Sequence, residues 1–226
     1  MKGRCMHDNN GMATETAVKY DFGRAELLPF LPDASRALLD VGCGSGAFGR
    51  LLRARRPNME LWAVESDPAS ARAAENGFDH VIVGAFPDVA LPDGRFDVVL
   101  CADVLEHMAE PEVALRAAVQ ALRKDGIVVA SIPNVRHWRA VLWPLLRHGT
   151  WTYTERGVLD RTHLRFFTRR SMRGFFIDNG WSVESVTGIN MIRREKLLSA
   201  VTARLLDDFL FPQYVVVARP SPAAGP

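Results

Sequence analysis

Hydrophobic and polar positions along the chain follow two patterns that alternate. Short, nearly continuous apolar runs, typical of strands buried on both faces of a sheet, are separated by segments in which apolar residues recur at helical spacing. The runs that predict the first five strands are residues 38–41, 61–64, 80–83, 96–101 and 127–132. Such βα alternation predicts a doubly wound, mostly parallel α/β sheet.

The second half of the chain departs from this alternation. Residues 135–168 are predicted to form a lid insertion of helices and loops after strand five. Strands six and seven are predicted at 181–186 and 214–218, and the segment between them, 191–211, predicts an amphipathic helical insertion. Apolar residues on one side of that insertion, which suit the core or a homodimer surface, are Leu197, Leu198, Val201, Leu205 and Phe209.

Length and composition limit the class of protein. The chain has 226 residues, of which 48% are hydrophobic and 24% charged, and its formal net charge is +2. These values favour a single α/β domain, predicted at 18–219, between a flexible leader (1–17) and a disordered tail (220–226). No apolar stretch has the length of a membrane span, and residues 1–10 lack the apolar core of a signal peptide, so the cytoplasm is the predicted location.

Cysteine and acidic residues give no sign of a metal. Three cysteines, Cys5, Cys43 and Cys101, do not form the even-numbered set expected of a disulfide framework. They also lack the spacing of metal ligands, and they are predicted to be reduced thiols. The sequence also lacks the acidic cluster that a magnesium-dependent catechol site would need. No metal is therefore predicted.

One glycine-rich stretch suggests a cofactor site. After an apolar strand, Asp40 is followed by Gly42, Gly44 and Gly46, and a helical segment begins at once. Glycine accepts positive φ and lets backbone approach a ligand closely, while the helix start presents N–H groups, so a nucleotide-like cofactor is predicted. Gly44-x-Gly46-x-x-Gly49 also fits the dinucleotide fingerprint, which leaves a nicotinamide cofactor open. The Asp40 carboxylate favours a cationic group over a pyrophosphate.

The same stretch resembles the first motif of the class I S-adenosylmethionine (SAM) methyltransferases, an Asp-x-Gly-x-Gly-x-Gly loop that this chain reproduces from Asp40 to Gly46. The resemblance implies SAM as cofactor, S-adenosylhomocysteine as product, and a Rossmann-like seven-stranded sheet whose last strand runs antiparallel between strands five and six. SAM carries an ammonium and a sulfonium but no phosphate. Asp40 and the loop, including Cys43, are predicted to hold its methionine end.

Five other positions are predicted to line the cofactor. Glu65 ends the second strand of a βαβ unit, where a carboxylate accepts both ribose hydroxyls, and Ser66 lies beside it. Ala102 and Asp103 follow strand four, in the segment that lies beside the methyl group in the resembled family. The apolar pattern from Val18 to Leu31 predicts an amphipathic helix ahead of strand one. In the resembled family an aromatic residue of this region often borders the methionine end; Tyr20 has this role or is a residue at the edge of the core.

The adenine is predicted to lie at the turn formed by Gly84, Ala85 and Phe86, which follows strand three. Members of the resembled family usually have an acidic residue there that holds the adenine amino group, whereas this chain has Ala85. Backbone N–H groups of Ala85 and Phe86, or stacking on the Phe86 ring, would have to replace that contact.

Two histidines are candidates for the proton acceptor of a transfer reaction. His107 follows strand four, and its ordinary pKa suits a base, although packing against the cofactor is the competing interpretation. Asp160 and His163 could share a hydrogen bond that orients and charges the imidazole. In the alternative, Asp160 pairs with Arg161 or a neighbouring arginine, and His163 packs under the lid.

The run at 157–168, which reads GVLDRTHLRFFT, is the most distinctive string of the chain. It resembles a branch of class I methyltransferases that act on small molecules and saccharides in cell-surface polysaccharide or natural-product pathways. The resemblance implies that the methyl group goes to a small acceptor, most simply to a hydroxyl of a sugar or of a natural-product precursor.

The lid insertion and its flank are rich in arginine and aromatic residues. Between residues 136 and 173 there are nine arginines and two acids, together with Trp138, Trp143 and Trp151. Arginine beside aromatic rings suits an anionic or sugar-containing ligand, so an anionic small substrate is one prediction. A helix at 135–147 resting on a membrane surface, or a solvated basic face, are the others. No recognised nucleic-acid motif accompanies the charge, which makes RNA a weak alternative and gives no support for DNA.

Two other function classes remain open on the sequence alone. A nicotinamide-dependent oxidoreductase would use the glycines of the loop for a dinucleotide. A non-catalytic SAM-binding partner protein would keep the cofactor site and methylate no acceptor.

Overall fold

A computed structural model describes residues 23–222 of the chain. Within them, seven strands form one sheet of order β3-β2-β1-β4-β5-β7-β6. The strands are β1 (Ala37–Val41), β2 (Glu60–Glu65), β3 (His80–Val83), β4 (Phe96–Ala102), β5 (Leu122–Pro133), β6 (Trp181–Ile189) and β7 (Gln213–Pro220). The helices are α1 (Ala47–Arg55), α2 (Pro68–Ala74), α3 (Pro111–Ala121), α4 (Trp143–His148), α5 (Arg169–Asp178), α6 (Arg193–Val201) and α7 (Asp207–Leu210).

Strand direction confirms the predicted topology. Strands β1 to β5 pair in parallel, and β7 pairs antiparallel with both β5 and β6. All five residues of β1 are buried, as expected for a central strand covered on both faces. The carboxyl ends of the parallel strands therefore meet at one edge of the sheet, where ligands bind in open α/β folds.

Local sequence signals start several helices at this edge. Asp67 caps α2 by accepting a hydrogen bond from the Ser70 N–H, and Pro68 occupies the first helical turn, where its missing N–H costs nothing. Thr168 caps α5 in the same way through the Ser171 N–H. Helix α1 begins directly after Gly46, so its first turn faces the glycine loop.

The core lies on both faces of the sheet. One cluster includes Val99, Ile132 and Phe176, and the other includes Leu38, Leu52 and Val129. Inside the lid insertion a smaller cluster of Val141, Val158 and Leu159 packs separately. None of the helices in residues 23–222 has the length and apolar character needed to cross a bilayer.

Three element predictions differ from the structure. The predicted helix ahead of β1 is, in its described part, a 3-10 helix at Ala25–Phe30 with Pro29 inside it, since proline removes a helical N–H donor. Strand β5 starts at Leu122, earlier than predicted. Pro220, predicted as the start of the tail, ends β7.

The predicted insertion at 191–211 is two helices, α6 and α7, instead of one. Ala203 and Arg204 take left-handed φ values of 47° and 66°, which interrupt the helix between them. Most of its apolar side is exposed to solvent rather than part of the core, and Leu205 is 83% exposed.

Candidate functional site

The glycine loop adopts the backbone conformation that its residues suggested. Gly42, Gly44 and Gly46 have φ values of 69°, 54° and 82°, all in the left-handed region that favours glycine. A Cβ on Gly46 would lie 2.7 Å from the Cα of Ala74 in α2, and one on Gly42 would lie 2.8 Å from a methyl group of Val104. The loop therefore packs too closely for side chains at two of its three glycines.

Glu65 lies at the end of β2 and connects the glycine loop to the next helix. Its Oε2 accepts a hydrogen bond of 2.8 Å from the Gly44 N–H, and its Oε1 accepts one of 2.9 Å from the Asp67 N–H. Ser66 is exposed and donates its hydroxyl to the same carboxylate over 3.3 Å. Because each carboxylate oxygen has two acceptor positions, Glu65 keeps capacity for ribose hydroxyls, and its predicted role stays a prediction.

Asp40 is a buried carboxyl at the end of β1 and is only 3% exposed. Burial and the neighbouring Glu65 raise the pKa of Asp40 to about 8, against the opposing effect of Arg24. Charged Asp40 is therefore costly unless a cation compensates for the lost hydration. This is the environment expected of a residue that pairs with a positively charged ligand.

Arg24 is a member of the site that the sequence did not suggest. Its Nε donates to Glu26 over 2.8 Å, its Nη2 donates to the Ser131 hydroxyl over 2.8 Å, and its Nη1 pairs with Asp103. Asp103 also accepts from the side chain of Gln213 and, over 3.1 Å, from Ser131. The sequence near Arg24 does not mark it, since its partners Asp103 and Ser131 lie far along the chain.

The segment after β4 joins this polar network. Asp103 takes a left-handed φ of 57°, rare for a residue with a side chain, and its N–H donates to the Ser131 carbonyl over 3.1 Å. Ala102 is the last residue of β4. Cys43, Ala102 and Asp103 are each half-buried at the same edge of the sheet. These three predicted residues therefore lie at the carboxyl ends of β1 and β4, two strands that pair with each other.

The predicted adenine turn follows β3 at the same edge. The Gly84 N–H donates to the Glu65 carbonyl over 2.9 Å, which holds the turn beside the predicted ribose site. Ala85 is exposed, whereas the Phe86 side chain is 8% exposed and packs in the core. Stacking on Phe86 would need its ring to be reachable, so the structure favours the backbone of this turn. Tyr20 lies outside the described residues.

A second group of polar side chains lies next to the cofactor edge. His107 and His163 meet with their ring centroids 4.7 Å apart. The backbone carbonyl of Glu106 accepts hydrogen bonds from the N–H groups of Leu164 and Arg165, at 2.8 and 3.0 Å. These bonds fix the lid insertion on the 3-10 helix Leu105–His107, and they bring together two histidines that the sequence places far apart.

Backbone and side-chain contacts orient the two histidines. Nδ1 of His163 donates to the Val158 carbonyl over 3.1 Å, so a backbone group holds this imidazole. Asp160 Oδ1 accepts from the N–H and hydroxyl of Thr162, at 2.9 and 2.7 Å, and its predicted role toward His163 stays a prediction. Thr162 in turn contacts Nδ1 of His107 through its carbonyl and hydroxyl oxygens. The tight turn at 157–163 sets this arrangement, because the N–H groups of Asp160 and His163 bond within it.

Part of the arginine-rich region has structural roles. Arg136 and Arg169 pair with Asp208 at 3.5 and 3.8 Å, and Arg161 pairs with Glu155 at 2.5 Å. Arg165 donates to a backbone carbonyl. A solvated or structural basic face thus accounts for four of the nine arginines.

A groove of about 710 Å³ lies between the lid insertion and α6. It is lined by Trp138, Arg139, Ile192, Arg193, Arg194, Glu195 and Leu198. The elements that form it follow β5 and β6, so it opens at the same edge of the sheet as the glycine loop. A smaller cavity of about 470 Å³, lined by the 3-10 helix before β1, lies at the opposite edge and away from this chemistry.

The residues present fit the predicted cofactor. The buried Asp40 carboxyl calls for a positive charge, which an ammonium or sulfonium supplies and a pyrophosphate does not. The glycine loop that follows Asp40 leaves no space for side chains at Gly42 and Gly46. Next to the glycine loop, which follows β1, lie Glu65 at the end of β2 and then the 84–86 turn after β3, in the order of the strands in the sheet.

Comparison with known proteins gives the family. The sequence model of the methyltransferase domain family matches residues 15–186. A ubiquinone biosynthesis O-methyltransferase of Caulobacter vibrioides is 30% identical over 184 residues, covering 77% of this chain and 69% of the relative. Its counterpart from Psychrobacter arcticus is 26% identical and covers 70% of this chain. The match spans 63% of the length of that relative.

Solved structures agree on the fold. A SAM-dependent methyltransferase from Archaeoglobus fulgidus superposes with a TM-score of 0.62 at 18% sequence identity, over 89% of this chain and 92% of that one. At this identity the similarity concerns the fold alone, and it includes the seven-stranded sheet described above.

Proposed function

This chain belongs to the methyltransferase domain family, in the class I SAM-dependent group, and from that premise we propose that it methylates a hydroxyl oxygen of a small-molecule acceptor. The observation that carries the proposal is the buried Asp40 carboxyl at the start of the glycine loop. This carboxyl suits a cationic methyl donor and disfavours a dinucleotide. SAM supplies an electrophilic methyl group bound to a sulfonium. The acceptor oxygen provides the electron pair for the new bond, the carbon–sulfur bond breaks, and the hydroxyl proton must leave.

The residues of the chain would hold the reactants in position, balance the charge of the donor and exclude water during this displacement. Asp40 would balance the positive charge of the donor, and the backbone of the glycine loop would hold the methionine end. Arg24 adds a guanidinium for the donor's carboxylate, since only part of its five donors is used in the contacts above. Glu65 would hold the ribose hydroxyls.

A proton acceptor is available at the edge of this site. Burial and the neighbouring His163 lower the pKa of His107, so its ring is neutral at pH 7 and has a lone pair. Each of the two imidazoles donates its Nδ1–H to a carbonyl, which leaves Nε2 as the acceptor atom. His107 and His163 therefore remain predicted bases, and their shared location means that position alone does not choose between them.

The acceptor is proposed to bind in the groove between the lid insertion and α6. Trp138 and Leu198 offer surface for an apolar or sugar ring, and three arginines at its rim suit a phosphate or carboxylate. Nε1 of Trp138 is buried and has no hydrogen-bond partner among residues 23–222, so it could donate to an acceptor oxygen. Relatives named as O-methyltransferases favour oxygen as the methylated atom. A sugar or natural-product precursor that carries an anionic group fits this groove.

The test is transfer of a radiolabelled methyl group to a panel of nucleotide sugars, saccharide precursors and phenols, each with and without an anionic group. We expect labelled product from anionic members, and Arg139→Ala should raise their KM about tenfold with little change in kcat, because a charged contact made equally in ground and transition state is lost. Arg147→Ala is the matched control, since this exposed arginine of the same insertion does not line the groove.

Transfer to none of the acceptors, with SAM bound normally in calorimetry, would favour the non-catalytic SAM-binding protein over the enzyme. Binding of NADH in preference to S-adenosylhomocysteine would favour the oxidoreductase. Equal KM values for Arg139→Ala and Arg147→Ala would remove the groove from the proposal while leaving methyl transfer intact.

The ribose role of Glu65 has its own test. We expect Glu65→Ala to weaken SAM binding by about 1–3 kcal/mol, the scale of lost hydrogen bonds to a charged group. Calorimetric titration with SAM measures this change, and Glu75→Ala, at an exposed position just after α2, is the control. A dissociation constant within twofold of the unchanged protein would contradict the assignment.

A further inference from the structure

We propose that Glu106, His107 and His163 together bind one divalent transition-metal ion. Each of these side chains offers one ligand atom, and the three atoms lie within 4.8 Å of one another. Two come from the 3-10 helix after β4 and the third from the lid insertion, so the group exists only once the insertion has docked. The sequence predicted no metal because these residues show no recognisable ligand spacing.

The orientation of both imidazoles suits metal ligation. Nδ1 of His107 donates to the Thr162 carbonyl over 3.2 Å, and Nδ1 of His163 donates to the Val158 carbonyl over 3.1 Å. Such a bond fixes the tautomer and leaves the Nε2 lone pair for a metal, as in most histidine-ligated sites. Asp160 accepts two hydrogen bonds from Thr162, and it therefore supports the His107 ring indirectly, through Thr162.

The Glu106 carboxyl gives an independent reason for a cation at this place. It is 1% exposed, and neither of its oxygens has a hydrogen-bond partner among the described residues. Burying a carboxyl without partners is costly, and most buried polar groups in proteins are satisfied. A metal ion bound at this place would give the Glu106 carboxylate the partner that it lacks among the described residues.

The donor set selects the kind of ion. Two imidazole nitrogens and one carboxylate oxygen suit Zn²⁺, Fe²⁺ or Co²⁺, whereas Mg²⁺ prefers oxygen ligands alone. Bonds of about 2.1 Å keep two ligands of one ion within about 4 Å, so binding would draw the three atoms slightly together. Three protein ligands leave coordination positions open. An acceptor hydroxyl bound there would lose its proton more easily. With the ion bound, this effect would replace proton acceptance by the two imidazoles, because the ion occupies their Nε2 lone pairs; this role, unlike ion binding itself, rests on the proposed function.

The test uses Co²⁺ as the probe, added to the chelator-treated full chain and followed by its visible absorption. We expect about one equivalent to bind and Zn²⁺ to displace it, while Mg²⁺ in excess does not. Glu106→Gln and His163→Asn should each weaken Co²⁺ binding at least tenfold. His148→Asn, an exposed histidine at the end of α4, should leave it unchanged.

Folding and function are separated by two further measurements. Circular dichroism and the affinity for S-adenosylhomocysteine should be retained in both variants, which shows that a loss of Co²⁺ is not a loss of fold. No visible Co²⁺ complex in the unchanged protein, or equal Co²⁺ affinity in both folded variants, would overturn the metal site. Normal Co²⁺ binding with no methyl transfer to any acceptor would instead refute the proposed function and leave the metal site standing.

Discussion

Gly46→Ala will lower the free energy of unfolding by about 3 kcal/mol or more. The φ of 82° costs a residue with a Cβ about 1–2 kcal/mol, and the new methyl group would lie 2.7 Å from the Cα of Ala74, where backbone and not a flexible side chain must move. Urea unfolding measures the change. SAM affinity should fall as well, because the glycine loop and α2 are forced apart.

Gly94→Ala is the matched control for this experiment. Gly94 has a similar left-handed φ of 60°, but a Cβ there meets nothing within 4 Å. It should therefore cost only the conformational part, about 1 kcal/mol. Equal losses for the two variants would show that the loop does not pack against α2 as described.

SAM affinity will rise with pH between about 6 and 8. The pKa of Asp40 is about 8 in the free protein, so the carboxyl is mostly protonated below that value. A bound cation favours the charged form and must release this proton, which makes binding tighter by up to tenfold per pH unit until pH reaches the free-protein pKa. Calorimetry in buffers of different ionisation enthalpy counts the proton released.

Asp40→Asn should bind SAM more weakly and with little dependence on pH over this range, whereas Asp93→Asn, at an exposed turn, should behave like the unchanged protein. A flat profile in the unchanged protein would show that Asp40 does not respond to the donor's charge.

Asp40→Asn should also change how the stability of the protein depends on pH. A carboxyl with a raised pKa stabilises the folded state fully below its unfolded pKa, near 3.9, and loses this contribution as pH rises toward 8. Asp40→Asn should remove that decline, which amounts to about 6 kcal/mol at most.

The parts of the fold that could be predicted from sequence were those encoded locally. β1 and β4 are short strands of mostly apolar residues, each with a single aspartate, and the caps at Asp67 and Thr168 lie within three residues of the groups they bind. The antiparallel direction of β7 came from the resemblance to a family, since an apolar run carries no information on direction. The break between α6 and α7 was missed because Ala203 and Arg204 are not residues that usually adopt left-handed φ.

The residues of the site also differ in whether local sequence marks them. The glycine loop and Glu65 are adjacent to strand ends, and sequence motifs located them. Arg24 and the pairing of His107 with His163 depend on contacts between distant segments, which no local pattern reports. The contacts of Asp160 with Thr162 form within one turn, but the sequence pattern did not mark Thr162 as its partner.

The position of β7 also constrains how the protein is made. This strand is the last of the seven to be synthesised, yet it lies between β5 and β6 and pairs with both. While residues 213–220 are still inside the ribosomal exit tunnel, β5 and β6 each present an open edge that could pair with other chains. We therefore expect the sheet to close only after translation has passed this strand, which makes the nascent chain dependent on protection by chaperones until then.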